Sequence, residues 1–230
     1  MAHEVEAKFQ ISSPQVFDQI RLQRRVGDYQ LTDQRIVSQG DTYLDTASGF
    51  LFHNKATLRM REKAGGTYLA TFKSKIDGNY VRREIETPLT SWQAEAFLSG
   101  NLAAIDIEAV QAARSYLNGE KIRPVLYIRN RREAWHIQSE LGHITICFDN
   151  VLYTASEKKQ YAQEYELELE LTNGNETFLQ KIVQILSQQH KLIRNSYSKY
   201  ERGVTLLGVF ALRASIPTIP TNGNLSHQPE

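Results

Sequence analysis

The stretch Glu164-Tyr165-Glu166-Leu167-Glu168-Leu169-Glu170-Leu171 alternates acid and apolar residue over eight positions. A period of two places the four carboxylates on one face of a β-strand and the apolar side chains on the other. The same pattern recurs along the chain. Glu4, Glu6 and Lys8 alternate with Val5, Ala7 and Phe9, and later come Arg59, Arg61 and Lys63, then Lys73 and Lys75, then Arg82, Glu84 and Glu86. Gly65-Gly66 and Asp77-Gly78 are hairpin signals, so 57–63, 67–75 and 80–87 read as an antiparallel meander.

Working outward, further strands are expected at 3–11, 39–45, 124–137, 143–153 and 163–171, with a last one from about 193 to 206. Ser13-Pro14 starts a helix, Thr90-Ser91-Trp92-Gln93 has the capping-box pattern, and helices are expected at 106–118 and 175–190. After Gly208, Pro217, Pro220 and Asn222-Gly223-Asn224 read as a flexible tail over 208–230, leaving one domain over 1–207. About eight strands with intervening helices make an α+β protein. Closure into an eight-stranded antiparallel β-barrel, with helices packed outside, removes sheet edges and leaves room for a small ligand.

Composition narrows the partners. At 230 residues and 41% hydrophobic content the chain can bury a real core. A net charge of +1 gives no bulk electrostatic case for nucleic acid or a membrane surface. One cysteine, Cys147, excludes an internal disulfide and fits a reducing compartment. No leader-like opening and no apolar run of about 18 residues is evident, so a cytoplasmic protein is expected.

Charged strand faces ordinarily meet water. Here the acids and bases are sorted onto different strands, and four acids on one face repel unless cations offset them. Charges turned inward, with helices on the apolar faces, resolve both points. An acidic wall opposite a basic one suits linear polyphosphates, because Arg and Lys neutralise phosphate oxygens while carboxylates and phosphates share a divalent cation.

With those residues laid out, the chain resembles the CYTH superfamily, the triphosphate tunnel metalloenzymes. Glu4-Val5-Glu6-Ala7-Lys8 is similar to that family's Glu-x-Glu-x-Lys signature, and Tyr43-Leu44-Asp45-Thr46 to its Tyr-Tyr-Asp-Thr element. Leu58-Arg59-Met60-Arg61, Phe72-Lys73-Ser74-Lys75 and Arg82-Arg83-Glu84-Ile85-Glu86 resemble its Leu-Arg-x-Arg, Leu-Lys-x-Lys and Arg-x-Glu-x-Glu strands. Arg132 before Trp135, Asp149, Tyr165-Glu166-Leu167-Glu168 and Ser198-Lys199-Tyr200 (a last basic strand) complete the series over 3–206. The resemblance implies an eight-stranded tunnel that binds a triphosphate and Mg²⁺ or Mn²⁺. Family members hydrolyse inorganic triphosphate, thiamine triphosphate or nucleoside triphosphates, or cyclise ATP.

The roles it implies are specific. Glu4, Glu6, Glu166, Glu168 and Asp149 are the metal-site candidates, Asp149 alternatively fixing a neighbouring arginine. Lys8, Arg59, Arg61, Lys73, Lys75, Arg82, Arg132 and Lys199 grip phosphates, although each can instead pair internally with a carboxylate. Glu4, Glu6, Lys8 and Glu168 form the catalytic centre. Glu164 and Glu170 share the acidic face, Glu84 and Glu86 pair with the basic one, and Arg129 and Arg131 fall out of phase, outside. His136 and His143 are either bases or hydrogen-bonded spectators, Tyr43 and Asp45 shape the rim, and Cys147 has no assigned chemistry. The expected activity is metal-dependent hydrolysis of inorganic triphosphate by a monomer or homodimer, with a small-molecule triphosphate its only implied partner. Thiamine triphosphatase, a class IV-type adenylate cyclase and a non-catalytic polyphosphate- or nucleotide-binding module are the alternatives.

Overall fold

A computed structural model describes residues 5–63, 65–75, 82–117, 119–156, 160–210 and 226–227. The strands are β1 (Val5–Ile11), β2 (Arg25–Val26), β3 (Tyr29–Gln30), β4 (Thr32–Thr46), β5 (Ala56–Lys63), β6 (Thr67–Lys75), β7 (Arg82–Leu89), β8 (Ile122–Ser139), β9 (Gly142–Ala155), β10 (Gln160–Gly174), β11 (Ile193–Arg194) and β12 (Ser226–His227). The helices are α1 (Gln15–Gln23), α2 (Phe50–His53), α3 (Ser91–Leu98), α4 (Glu108–Arg114), α5 (Glu176–Gln189) and α6 (Lys199–Leu206). This is an α+β fold with a large antiparallel sheet. Its hydrogen-bonded order is β11-β1-β10-β9-β8-β4-β5-β6-β7, with β12 on β10 and β2-β3 as a separate hairpin.

The expected closure into an eight-stranded barrel is not met. The order is linear, it holds nine strands, and no pairing among the described residues joins β11 to β7. One cause is local. The segment expected as a final strand from 193 to 206 spends only two residues in β11 and then becomes α6. Ser198 Oγ accepts the Glu201 N–H at 3.2 Å while Glu201 Oε2 accepts the Ser198 N–H at 2.9 Å. That reciprocal cap satisfies two helix-end donors and fixes a helix start.

The chain divides into two compact units: 1–38 with 130–151 and 163–196, and 39–129 with 152–162 and 197–230. In the first unit, β1 pairs antiparallel with β10, setting Phe9 opposite Leu167 and Lys8 opposite Glu168. The apolar faces of β1, β8, β9 and β10 bury Phe9, Trp135, Ile146 and Leu167 against Phe17 and Ile20 of α1 and Phe178, Ile182 and Leu186 of α5. Each large side chain so buried contributes about 1.5–3 kcal/mol. One carboxylate lies in this apolar layer: Glu133, 3% exposed, accepts from Gln34 Nε2 and Trp135 Nε1, each at 2.8 Å, and pairs with Arg21 at 3.0 Å. Three donors offset its desolvation.

In the second unit, β5, β6 and β7 form the expected meander, with Leu58, Phe72 and Ile85 facing Phe97 of α3 and Val110 and Ala113 of α4. The Thr90 capping box is formed, with Gln93 N–H donating to Thr90 Oγ1 at 3.2 Å. Asp45, expected at a rim, is instead fully buried. It accepts the N–H groups of Thr46, Leu51 and Phe52 and the Tyr200 hydroxyl at 2.7–2.9 Å. The expected tail, 208–230, falls mostly outside the described residues. Its first part does not hang free, since Phe210 is buried with its ring 5.8 Å from that of Phe52. Among the described residues no helix is long and apolar enough to cross a membrane.

Candidate functional site

In the first unit, the strand faces turned away from the apolar layer carry Glu6, Lys8 and Gln10 from β1, and Arg132 and His136 from β8. They also carry His143, Cys147 and Asp149 from β9, and Glu164, Glu166, Glu168 and Glu170 from β10. Register sets Glu6 opposite Glu170, Lys8 opposite Glu168 and Gln10 opposite Glu166. One carboxylate oxygen from each of Asp149, Glu166 and Glu168 lies within 4.8 Å of the others. These residues are 0, 1 and 5% exposed. An acceptor-only oxygen cluster of this size is what a hard divalent cation takes as ligands.

Arg132 is fixed beside the cluster. Its Nε and Nη2 donate to Asp149 Oδ1 and Oδ2 at 2.8 and 2.7 Å, and Nη2 reaches Glu168 Oε2 at 3.0 Å. Burial alone would lower its pKa, but the Asp149 hydrogen bonds and the charges of Asp149 and Glu168 raise it. Lys8 Nζ stands 2.6 Å from Glu6 Oε1. On these four strands the face holds Glu6, Asp149, Glu164, Glu166, Glu168 and Glu170 against Lys8 and Arg132, an excess of four negative charges when all are ionised. Glu170 registers that excess: burial, then the charge of Glu168, holds its carboxyl above the ordinary range despite Arg132. Added cations would relieve it.

Cys147, between Thr145 and Asp149 on β9, is 2% exposed, and burial pushes its thiol up to about 12. It is a packed thiol and no nucleophile.

In the second unit, the polar faces of β5 to β7 carry Arg59, Arg61, Lys73, Glu84 and Glu86. Arg61 is held bidentately by Asp41, at 2.7 and 2.8 Å. Arg59 is more loosely engaged, 3.5 Å from Asp41 and 3.9 Å from Glu86, and among the described residues its buried Nε has no hydrogen-bond acceptor. Lys73 pairs with Glu84 at 2.9 Å. The register of β6 and β7 sets Lys75 opposite Arg82, whose side chains lie outside the described part of the structure. Lys199, expected on a basic strand, is instead the first residue of α6.

The sequence-expected residues are therefore distributed as follows. Asp149, Glu166, Glu168 and Arg132 come together in one cluster, and Glu6 and Lys8 stand on the same face of the same unit. Glu4 lies outside the described residues. Arg129 and Arg131 are exposed, as their phase required. Asp41, which orients Arg61, escaped the sequence reading. It shares the phase of Tyr43 and Asp45, but its position opposite Arg61 depends on a register that α2, lying between the two strands, hides.

The three carboxylates, with a guanidinium clamped beside them on an antiparallel sheet, form a group that could hold a metal ion. Residues 2–204 match the CYTH domain, and the chain belongs to that family. It is 26% identical over 209 residues to an inorganic triphosphatase of Haemophilus influenzae, a match covering 90% of this chain and 55% of that protein. The chain thus spans about half the length of this curated relative. Among solved structures it is similar to a Hippeastrum protein described as an adenylyl cyclase candidate with a dominant triphosphatase activity (TM-score 0.63, 16% identity, 91% of this chain and 98% of that one). It is also similar to an adenylate cyclase candidate of Bacillus halodurans (TM-score 0.61, 21% identity, 86% and 96%). At these identities the likeness is one of fold.

Proposed function

We propose that this protein is a metal-dependent triphosphatase that cleaves inorganic triphosphate to pyrophosphate and phosphate. The observation that carries the reading is the buried Asp149–Glu166–Glu168 cluster with Arg132 fixed against it. Burying three carboxylates on the non-apolar face of a sheet is costly unless cations share the site. The named activity of the Haemophilus relative supports the same reading.

The residues fit the cation. All three offer hard oxygen donors within 4.8 Å, on a face with four negative charges in excess. Mg²⁺ or Mn²⁺, held by Glu166, Glu168 and Asp149, would supply charge neutralisation and a bound water of lowered pKa. The protein's own side chains position the substrate. Asp149 engages Nε and Nη2 of Arg132, so Nη1 is the donor available to a phosphate oxygen. Lys8, opposite Glu168 in register, places a second cation on that face. Glu4 and Glu6 complete the acidic set by sequence. Arg59, Arg61, Lys73, Lys75, Arg82 and Lys199, which the family resemblance implies as phosphate ligands, belong to the second unit, where Arg61 is paired with Asp41. Phosphoryl transfer asks chiefly for such positioning and neutralisation.

The test is phosphate release from triphosphate, thiamine triphosphate, ATP and pyrophosphate with Mg²⁺, Mn²⁺ or EDTA. Triphosphate should turn over fastest, EDTA should abolish release, and Glu168→Gln should lower the rate by about 100-fold, the scale of a lost metal-site group. Release unaffected by EDTA, or near-wild-type rates in Glu168→Gln, would overturn the reading.

A further inference from the structure

A second group of ligating side chains lies on the acidic face of the first unit, at the other end of the β8–β9 pair, and the triphosphatase reading does not use it. His143 Nε2 stands 3.1 Å from His136 Nδ1, with the two ring centroids 5.0 Å apart. Thr145 Oγ1 stands 3.2 Å from the same His136 nitrogen. Both imidazoles are only half-buried. His143 also lines a groove of about 580 Å³, together with Gln138, Glu140 and Asn173.

We propose that His136 and His143 form a second cation site, selective for Zn²⁺ and chemically distinct from the carboxylate cluster. The spacing is the first argument. Two nitrogens 3.1 Å apart, each about 2.0–2.1 Å from a shared Zn²⁺, subtend roughly 95–102° at the metal, close to a tetrahedral arrangement. Ligand type is the second. Neutral imidazole suits Zn²⁺, whereas Mg²⁺ and Mn²⁺ prefer carboxylate and water oxygens. Each ring would bind as the neutral form and keep its proton on the other nitrogen, Nε2 of His136 and Nδ1 of His143. Access is the third argument, since His143 lines the groove and is reached from solvent there. Among the described residues no third His, Cys, Asp or Glu joins the pair, so water would complete the coordination. In the absence of metal, the 3.1 Å spacing is equally a ring-to-ring hydrogen bond.

The test is Zn²⁺ titration of the chelator-treated full chain, followed by calorimetry and by imidazole resonances in long-range ¹H–¹⁵N spectra. Millimolar Mg²⁺ is present throughout to fill the carboxylate site. The expected result is one equivalent of Zn²⁺ that shifts the His136 Nδ1 and His143 Nε2 resonances. That equivalent should weaken at least about ten-fold in His136→Gln and in His143→Gln, and persist in Glu168→Gln. Folding of each variant is checked by its far-ultraviolet dichroism, and the wild-type resonance shifts decide the matter if either variant fails to fold. Zn²⁺ that leaves both rings unshifted, or that binds both histidine variants as tightly as wild type, would overturn the site. Because the readout is binding and not turnover, its failure leaves the triphosphatase reading standing, and the reverse also holds.

Discussion

Replacing Arg132 with methionine tests the clamp on which the acidic cluster depends. The Arg132 side chain is only 23% exposed, and its guanidinium makes two bonds of 2.7 and 2.8 Å to a fully buried Asp149 and one of 3.0 Å to Glu168. Removing one partner of a buried ion pair costs about 3–5 kcal/mol, because the other charge stays desolvated. Partial exposure places Arg132 at the low end, about 3 kcal/mol. For a chain of this size each kcal/mol moves the melting temperature by about 2–4 °C, so Arg132→Met should melt roughly 6–12 °C below wild type in EDTA. The variant's face carries five excess negative charges in place of four, so saturating Mg²⁺ should stabilise it more than it stabilises wild type. Arg132→Lys keeps the charge, loses the fork and should fall between the two. Scanning calorimetry with and without Mg²⁺ reads all three proteins. A melting temperature for Arg132→Met within 2 °C of wild type in EDTA would refute the reasoning, because the clamp could not then be holding Asp149.

Alkaline pH probes the second unit. Burial holds the Tyr200 phenol well above its ordinary 10.0 and raises Tyr43 as well, and the two rings stack at 4.7 Å. Native pKa values above the unfolded one give stability that is complete below pH 10 and is lost as pH rises through the native values. Urea unfolding between pH 8 and 11 should show that alkaline decline, and Tyr200→Phe should flatten it; an identical slope in the variant would count against the buried phenol. The Cys147 thiol, pushed up to about 12 and 2% exposed, should react with a disulfide reagent at pH 8 only as fast as the chain unfolds. Rapid labelling of the native protein would contradict its burial.

Much of the sheet was legible because alternation is a local signal. The Glu164–Leu171 run became the middle of β10, and the Arg59–Arg61 and Lys73 rows became the meander, each with its charges opposite the apolar core. The reading failed where a longer-range choice decided. Ser198-Lys199-Tyr200 resembled the last strand of the family, yet Ser198 and Glu201 stand three apart and cap a helix, a signal present in the sequence and overlooked. Closure into a barrel could not be read from strand count, since it depends on which edges pair. In the candidate site, Glu166, Glu168, Asp149 and Arg132 follow from the family resemblance, with Asp149 either a metal ligand or the partner of a neighbouring arginine. That this arginine is Arg132, and that Asp41 grips Arg61, needed inter-strand registers that no local pattern encodes. The sequence-level risk was that the acidic row simply met solvent; at 5% exposure or less, Glu164, Glu166 and Glu168 do not.

The pairing of β1 with β10 has a consequence for how the protein is made. Lys8 and Glu168 are neighbours in the sheet but 160 positions apart in the chain. At about 5–20 residues per second, the N-terminal strand waits roughly 8–32 s on the ribosome before its partner is synthesised. During that interval its backbone edge is open to other nascent chains. The charged row of Glu6 and Lys8, every second residue beside Ala7 and Phe9, puts charge on that open edge and so disfavours misassembly.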